Sequence, residues 1–298
     1  MKIRGKKWWL LIAALSIVIG LPLTITQIRH KTPSDYPEIA ARGVLRVGIV
    51  RSPLSYNVED DSIGGYDYEL LQMLSRYSDV EIKIDSVSSI SHCMKELDKR
   101  NYDIIAYPIP ITCEIKEKYT FSNPTSLNKQ VLIQRIDSTN NIAVRNQLDL
   151  HGCTLHITQD DPTRLHIENL AQESGNKIHI CEKHNHGVER LIEEVSCGKI
   201  DFAVCDKANA TLIASQYNNI NYDTDISLTQ FMSWMMRKES TILCDSINHW
   251  LMDIQQTDEF RELYTRYFGA KSYNKQQRIN CMLCIQQQDS TKTEEAIL

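Results

Sequence analysis

Residues 103–125, DIIAYPIPITCEIKEKYTFSNPT, decide the fold of this chain. An apolar run at the start is typical of a buried strand, and it leads into a loop punctuated by Pro108 and Pro110. A short charged segment then predicts a helix that ends before the turn Phe121–Pro124. A strand followed by a loop and a helix is the repeating unit of an open α/β sheet.

Strand and helix patterns alternate on both sides of this stretch. One set of alternating segments runs from the strand Leu45–Val50 to the strand Tyr102–Ala106. The alternation starts again at the strand Lys129–Gln134 and continues to about Tyr217. Two successive α/β units of similar size predict an α/β protein with two lobes.

Composition excludes several classes of protein. The 298 residues carry a formal net charge of -5, whereas a general nucleic-acid binder carries a basic excess. The nine cysteines are irregularly spaced, so no disulfide framework can be derived from them. His184 and His186, with the nearby His179 and Cys181, lack the ligand count of a closed metal site, and we expect a solvated loop there. No metal and no cofactor is therefore predicted.

The N-terminus differs from the rest of the chain. Four basic residues precede residues 8–26, which carry no charge over 19 positions, about enough to cross a hydrocarbon core of roughly 30 Å. No small-residue cleavage site follows this run. We therefore expect residues 1–31 to hold a membrane anchor, with the N-terminus in the cytoplasm and the body of the protein outside; a cleaved signal peptide is the alternative.

Five segments of the chain occur in the order known from one family: Arg42–Gly48, Ser52–Tyr56, Gly65–Leu70, Gly198–Asp206 and Tyr264–Gly269. Together they resemble the bacterial periplasmic solute-binding proteins of family 3, over roughly residues 40–270. The resemblance implies a type II, two-lobed fold in which residues 40–132 and 232–270 form lobe 1. Residues 133–231 would form lobe 2, and residues 271–298 a polar tail. The hinge would lie near Val131–Gln134 and Leu228–Phe231.

Within this family, the chain is most similar to the binding domain of the membrane-bound lytic murein transglycosylases. The apolar N-terminus and the segment Phe231–Lys238, FMSWMMRK, carry this similarity. Those enzymes have a separate C-terminal catalytic domain, whereas a Gln- and Lys-rich tail of 29 residues follows Gly269 here. The expectation is a binding module with no catalytic residue.

The resemblance also implies that this chain has lost most of the family's amino-acid contacts. The position of the arginine that binds a ligand carboxylate falls on Ile115, and the hydroxyl positions fall on Pro108 and Pro110. The second-lobe Gly-Ser/Thr turn falls on residues 160–161, and only the aspartate position, Asp206, is kept. Because a guanidinium–carboxylate pair is a strong charge-assisted contact, a free amino acid is not the expected ligand.

The candidate ligand-binding residues are Arg51, Tyr56, Tyr107, Thr112, Asp161 and Asp206. Arg51 could supply the missing cation, or it could be a solvated loop arginine. Tyr56 and Tyr107 could stack on a ring or a sugar, or they could pack in the core. Asp161 and Asp206 could contact the ligand, or they could cap the helices that follow them.

The expected function is solute binding without catalysis. The two lobes would close on a small polar ligand, such as a peptide or a cell-wall fragment, and present it to a membrane transporter or sensor. A murein-remodelling protein is the first alternative. The second is an enzyme built in the cleft, with Asp206 and Asp161 as its acid/base pair.

Overall fold

The computed structural model describes residues 35–59, 62–159, 161, 163–184, 186–269 and 272–277. Its strands are β1 Val44–Val50, β2 Asn57–Glu59, β3 Ser62–Gly64, β4 Glu81–Val87, β5 Ile104–Pro110, β6 Tyr119–Phe121, β7 Ser126–Asn128, β8 Gln130–Arg135, β9 Thr154–Thr158, β10 His179–Lys183, β11 Phe202–Asp206, β12 Ile220–Asn221 and β13 Gln230–Arg237. Its helices are α1 Tyr36–Arg42, α2 Tyr66–Leu74, α3 Ile90–Asp98, α4 Cys113–Lys118, α5 Thr163–Ser174, α6 Val188–Ser196, α7 Lys207–Ala214, α8 Thr241–Ile254 and α9 Asp258–Phe268, with a 3₁₀ turn at Gln147–Leu150. Residues 272–277 are also helical.

The predicted anchor, residues 8–26, lies outside the described residues. In the part of the chain that the structure does describe, every helix is too short or too polar to span a membrane.

Two mixed sheets form the two lobes. In the first sheet the strand order is β4-β1-β5-β13-β6, with β7 also paired to β13. In the second sheet the order is β10-β9-β11-β8-β12. Each sheet has three neighbouring parallel strands next to an antiparallel strand, β13 in the first and β8 in the second. The prediction of two α/β lobes is thus confirmed.

The chain passes twice between the sheets. It leaves the first sheet after Asn128 and joins the second at Gln130, so Lys129 is the first crossing. It returns through Leu228 and Thr229, because Ser227 is still bonded to Gln130 and Gln230 already pairs in β13. The lobe boundaries 40–132, 133–231 and 232–270 stay a prediction.

Strand β5 is longer than the sequence indicates. We expected a loop after Ala106, but the strand continues through Pro108 to Pro110. Its pairing with β1 ends at Ala106, and from there the strand pairs only with β13. Proline cannot donate a hydrogen bond, so it is tolerated where one side of the strand is unpaired.

The residue that precedes α2, Gly65, has a backbone conformation that requires glycine. Its φ is 119°, and a Cβ at this position would lie 2.5 Å from the backbone of Ser55. Only glycine adopts this conformation readily, and only glycine leaves room for the loop that follows β1. The glycine therefore fixes that loop against the start of α2.

A buried carboxylate joins this helix to the first sheet. Asp67 accepts hydrogen bonds from the Trp234 indole at 2.7 Å and from the Ser55 hydroxyl at 2.7 Å, and all three residues are buried. Burial raises the pKa of Asp67 to about 6, and the two hydrogen bonds oppose that rise. Trp234 is therefore packed in the core of the first lobe.

Replacing Trp234 by phenylalanine tests this contact. We expect Trp234→Phe to cost about 2 kcal/mol more than Trp250→Phe at pH 8, because a buried carboxylate loses its indole donor. Trp250 is also buried, and its partner is the ring of Tyr36. At pH 5 Asp67 is protonated, so the difference should shrink. Urea unfolding at both pH values measures it, and a difference that does not change with pH would contradict this role of Trp234.

Candidate functional site: a cleft between the two sheets

The candidate site lies where the carboxyl ends of parallel strands from both sheets meet. In open α/β sheets, ligands bind in the crevice outside these strand ends. A cavity of about 530 Å³ occupies this place, a size typical of small-molecule sites. Its lining residues are Val50, Arg51, Ser52, Pro53, Ser88, Ser89, Ile90, Tyr107, Thr158, Gln159, Asp161, His186, Gly187, Val188, Glu189 and Asn209.

Arg51 follows β1 and reaches the cleft from the first sheet. Its Nε donates to the Ser86 hydroxyl and one of its terminal nitrogens to the Ser86 carbonyl, both at 3.2 Å. A guanidinium has five N–H donors, and within the described residues the others have no partner. Ser86 thus orients an exposed cation that keeps donors for a ligand.

Tyr107 lies on β5 and lines the same cavity. Burial raises its pKa well above the usual value, and the charges of Asp206 and Asp161 add to the rise. Both carboxylates belong to the second sheet, so the phenol and the two acids lie within electrostatic reach across the cleft. Tyr107 also packs against the apolar cluster around Ile105 and Ile109.

Asp161 follows β9 and has two partners on its own lobe. One carboxylate oxygen accepts from the Thr163 backbone N–H at 2.9 Å, at the start of α5, and the other accepts from the Thr158 hydroxyl at 2.7 Å. The capping role considered from the sequence is therefore present. Because Asp161 also lines the cavity, its charge still faces the ligand space.

Asp206 is the last residue of β11 and directly precedes α7, but its side chain does not cap that helix. Instead it accepts a hydrogen bond from the Gln130 amide at 3.0 Å. Burial, with a smaller contribution from the negative charge of Asp161, raises the pKa of Asp206 to about 7, and the Gln130 bond opposes the rise. This carboxylate is therefore poised to take a cation or a hydrogen-bond donor.

Two of the candidate residues lie elsewhere. Tyr56 contacts the ring of Tyr68 edge-on at 5.5 Å and lines a neighbouring cavity of about 430 Å³ that also contains Arg51 and Glu189. Thr112 caps α4 by accepting from the Ile115 N–H at 3.4 Å, and it is absent from the lining of the main cavity. The structure thus brings Arg51, Tyr107 and Asp161 together in one cavity, with Asp206 nearby.

Ile115 packs partly buried against the apolar cluster of β5 and α3. It offers no polar group at the position where the family resemblance implies a cation. The carboxylate contact implied by the family is therefore absent from this part of the first lobe.

The cleft residues that were not predicted from the sequence include Glu189, His186 and Asn209. Glu189 lies in the first turn of α6, and Asn209 is the third residue of α7. Asn209 is buried, and its Oδ1 has no hydrogen-bond partner in the described part of the chain. Their position in the chain could have indicated the cleft, because helices α6 and α7 follow parallel strands whose carboxyl ends face it.

No metal site is apparent in the described residues, where no three His, Cys, Asp or Glu side chains are grouped to hold an ion. Seven of the cysteines are described and all are free; Cys93, Cys205 and Cys244 are buried.

Comparisons with known proteins identify relatives of this chain. The chain is 26% identical over 242 residues to the membrane-bound lytic murein transglycosylase F of Salmonella typhi, which covers 80% of this chain and 50% of the relative. The corresponding protein of Aeromonas hydrophila is 27% identical over 225 residues, covering 74% and 44%. The chain therefore spans about half the length of these curated relatives.

Solved structures show the same fold. The holo arginine-binding protein ArgBP of T. maritima has a TM-score of 0.63 at 24% identity, covering 78% of this chain and 99% of its own. A structure described for glutathione import through GshT of Streptococcus mutans has a TM-score of 0.67 at 22% identity, covering 77% and 96%. These neighbours confirm the two-lobed, type II solute-binding fold.

The family described as bacterial extracellular solute-binding proteins, family 3, matches residues 45–270. That range includes every residue of the cleft and both sheets apart from Val44, the first residue of β1. The chain therefore belongs to the extracellular solute-binding proteins of family 3.

Proposed function

We propose that this protein is an extracytoplasmic binding module that closes its two lobes on a small polar ligand and does not transform it. The observation that carries the proposal is the cavity between the sheets, with Arg51 on one side and Asp161 and Asp206 on the other. A ligand that pairs with both sides favours the closed arrangement, since buried polar groups are costly when unpaired.

The charges of the cleft favour a ligand with donors or positive charge toward the second lobe. Arg51 is the only lysine or arginine among the described residues that line the cavity, whereas Asp161 and Glu189 are both acidic. Asn209 adds an acceptor without a partner in the described residues. A short peptide or a cell-wall fragment with an amino group meets this requirement.

Free amino acids are expected to bind poorly. Solved neighbours include an ancestral arginine-binding protein bound to arginine and the same protein bound to glutamine. In this chain Ile115 packs apolar groups where the resemblance implies a guanidinium, so an amino-acid carboxylate would lose that pairing.

A thermal-shift screen of the full chain against amino acids, peptides and muropeptides tests this prediction. A ligand at 100 times its dissociation constant adds about 2.7 kcal/mol of stability. We expect a peptide or a muropeptide to raise the melting temperature by an amount that corresponds to this stabilisation, and we expect no rise with arginine or glutamine. A clear shift with either amino acid would show that the cleft binds a carboxylate by another route, for example through Arg51.

A second candidate function is murein remodelling. It is favoured by the similarity to lytic murein transglycosylase F over 80% of this chain. In that case the cleft would bind a murein fragment, and the protein would act on the cell wall. Incubation of the purified chain with peptidoglycan, followed by mass spectrometry of released fragments, separates the two functions: cleavage would favour remodelling, and binding without cleavage would favour the binding module.

Location and partners are part of the same proposal. A module of this kind would work on the periplasmic side of the cytoplasmic membrane, held there by residues 8–26, and would present its ligand to a transporter or a sensor. Fractionation of cells that express the full chain tests the location: the protein should be found with the membrane and be accessible to protease in spheroplasts.

A further inference from the structure

A second cavity, of about 510 Å³, lies where the chain crosses between the two sheets; we call it the crossover cavity. Both crossing segments contribute to it, through Lys129 and Thr229. Its lining residues are Leu127, Asn128, Lys129, Lys207, Ala208, Thr211, Thr229, Thr265, Arg266, Tyr267, Phe268, Gly269, Ser272 and Lys275. The ligand-binding proposal does not use any of them.

The described lining of the crossover cavity is basic and includes no acidic side chain. Lys129 is paired with Asp225, and Arg266 with Glu69, so these two charges are compensated from outside the lining. Lys207 and Lys275 have no ion-pair partner within the described residues. Two uncompensated ammonium groups therefore remain at this cavity, Lys207 from the start of α7 and Lys275 from the helical residues 272–277.

Asn128 gives independent evidence for a ligand at this cavity. Its amide oxygen accepts from the backbone N–H groups of Lys129, at 2.9 Å, and Ala208, at 3.4 Å. These two donors fix the orientation of the amide, because only its oxygen can accept. The Asn128 side chain is buried at 5% exposure, and its Nδ2 has no hydrogen-bond partner in the described part of the chain. A buried donor without a partner is costly and calls for an acceptor.

We propose that the crossover cavity binds a small oxyanion, a phosphate or carboxylate group. Lys207 and Lys275 supply the charge, and the Asn128 Nδ2 donates a hydrogen bond to one of the oxygens. Charge-assisted hydrogen bonds to an oxyanion are stronger than neutral ones, so this donor set favours an anion over a neutral polar ligand.

The position of this cavity links it to the cleft. Ala208 lines the crossover cavity and Asn209 lines the cleft, so the first turn of α7 contacts both. An oxyanion that binds the closed arrangement of the lobes more tightly would, by linkage, raise the affinity of the cleft for its own ligand. An oxyanion that binds the open arrangement more tightly would lower that affinity.

Calorimetric titration of the full chain with inorganic phosphate and with succinate tests the proposal. The double variant Lys207→Met/Lys275→Met removes the two uncompensated charges. The matched control Lys83→Met/Lys199→Met removes two lysines that are exposed on β4 and after α6. Asn128→Asp keeps the acceptor of the two backbone bonds and replaces the unpartnered donor by a charged oxygen.

We expect saturable binding of phosphate or succinate at one site, weakened about tenfold or more in Lys207→Met/Lys275→Met and in Asn128→Asp. The Lys83→Met/Lys199→Met control should stay within about twofold of the wild type. The tighter of the two anions identifies the oxyanion class. An absence of saturable binding to the wild type, or an equal loss in the control, would overturn the proposal. Asp206→Asn should retain the oxyanion, which separates this site from the cleft.

Discussion

Replacing Asp206 by asparagine should stabilise the ligand-free protein by about 2 kcal/mol at pH 8. The same change should lower the affinity of the cleft for its ligand. Burial and the charge of Asp161 raise the pKa of Asp206 to about 7. A shift of one pKa unit corresponds to about 1.4 kcal/mol, and part of this is screened because the side chain is only half-buried. Asparagine can still accept from Gln130 but carries no charge to desolvate.

The sign of the pH dependence follows from the raised pKa. The folded protein holds a proton on Asp206 up to about pH 7, whereas the unfolded chain releases it near pH 3.8. The protonated carboxyl therefore favours the folded state below pH 3.8, and this contribution is lost as the pH rises to about 7. Asp206→Asn should remove that loss, so its advantage over the wild type should grow from pH 4 to pH 8.

Urea unfolding of the wild type, Asp206→Asn and Asp245→Asn at pH 5 and pH 8 measures this effect. Asp245 is exposed on α8, so its replacement is the matched loss of one carboxylate. If the free energy of unfolding relative to the wild type changed equally between the two pH values in Asp206→Asn and Asp245→Asn, the pKa of Asp206 would not be raised in the folded protein.

Replacing Asp103 by alanine should destabilise the protein by about 3–5 kcal/mol. Asp103 is fully buried and forms ion pairs with Arg42, Arg46 and Arg237. It also accepts from the backbone N–H of Arg46 at 2.9 Å. Arg237 itself is buried, and burial lowers its pKa while Asp103 opposes that fall. Without the carboxylate, the buried guanidinium of Arg237 loses the counter-charge that Asp103 supplies at the start of β5.

Asp201→Ala is the matched control for this prediction. Asp201 pairs with Arg135 at 2.6 Å, but its side chain is 74% exposed, so its removal should cost less than about 1 kcal/mol. Urea unfolding at pH 7 compares the two variants. A cost for Asp103→Ala within 1 kcal/mol of the Asp201→Ala value would mean that the three arginines do not depend on the buried carboxylate.

The two lobes and most strands could be predicted from the sequence because buried parallel strands are short apolar runs between turns. The strand predicted at Leu45–Val50 corresponds to β1, Val44–Val50, and the strand predicted at Lys129–Gln134 corresponds to β8, Gln130–Arg135. The prediction of a loop after Ala106 was wrong. Prolines are tolerated in β5 because one side of the strand is unpaired there, and that depends on tertiary pairing, which the local sequence does not show.

The cleft could be predicted only in part. Arg51, Asp161 and Asp206 each end or follow a strand, so their place at a carboxyl edge follows from the strand pattern. Asn209 lies inside a helix, and its unpartnered oxygen depends on how α7 packs. The ion pairs of Asp103 join residues from Arg42 to Arg237, a separation along the chain that local patterns do not register.

The central claim is that a small ligand binds between the two sheets and closes the lobes over it. Small-angle X-ray scattering of the full chain, with and without the compound that stabilises it most in the thermal-shift screen, tests this directly. We predict a smaller radius of gyration with the compound for the wild type, and no change for Asp206→Asn at the same concentration. An unchanged radius in the wild type at saturation, or an equal contraction in both proteins, would contradict the account.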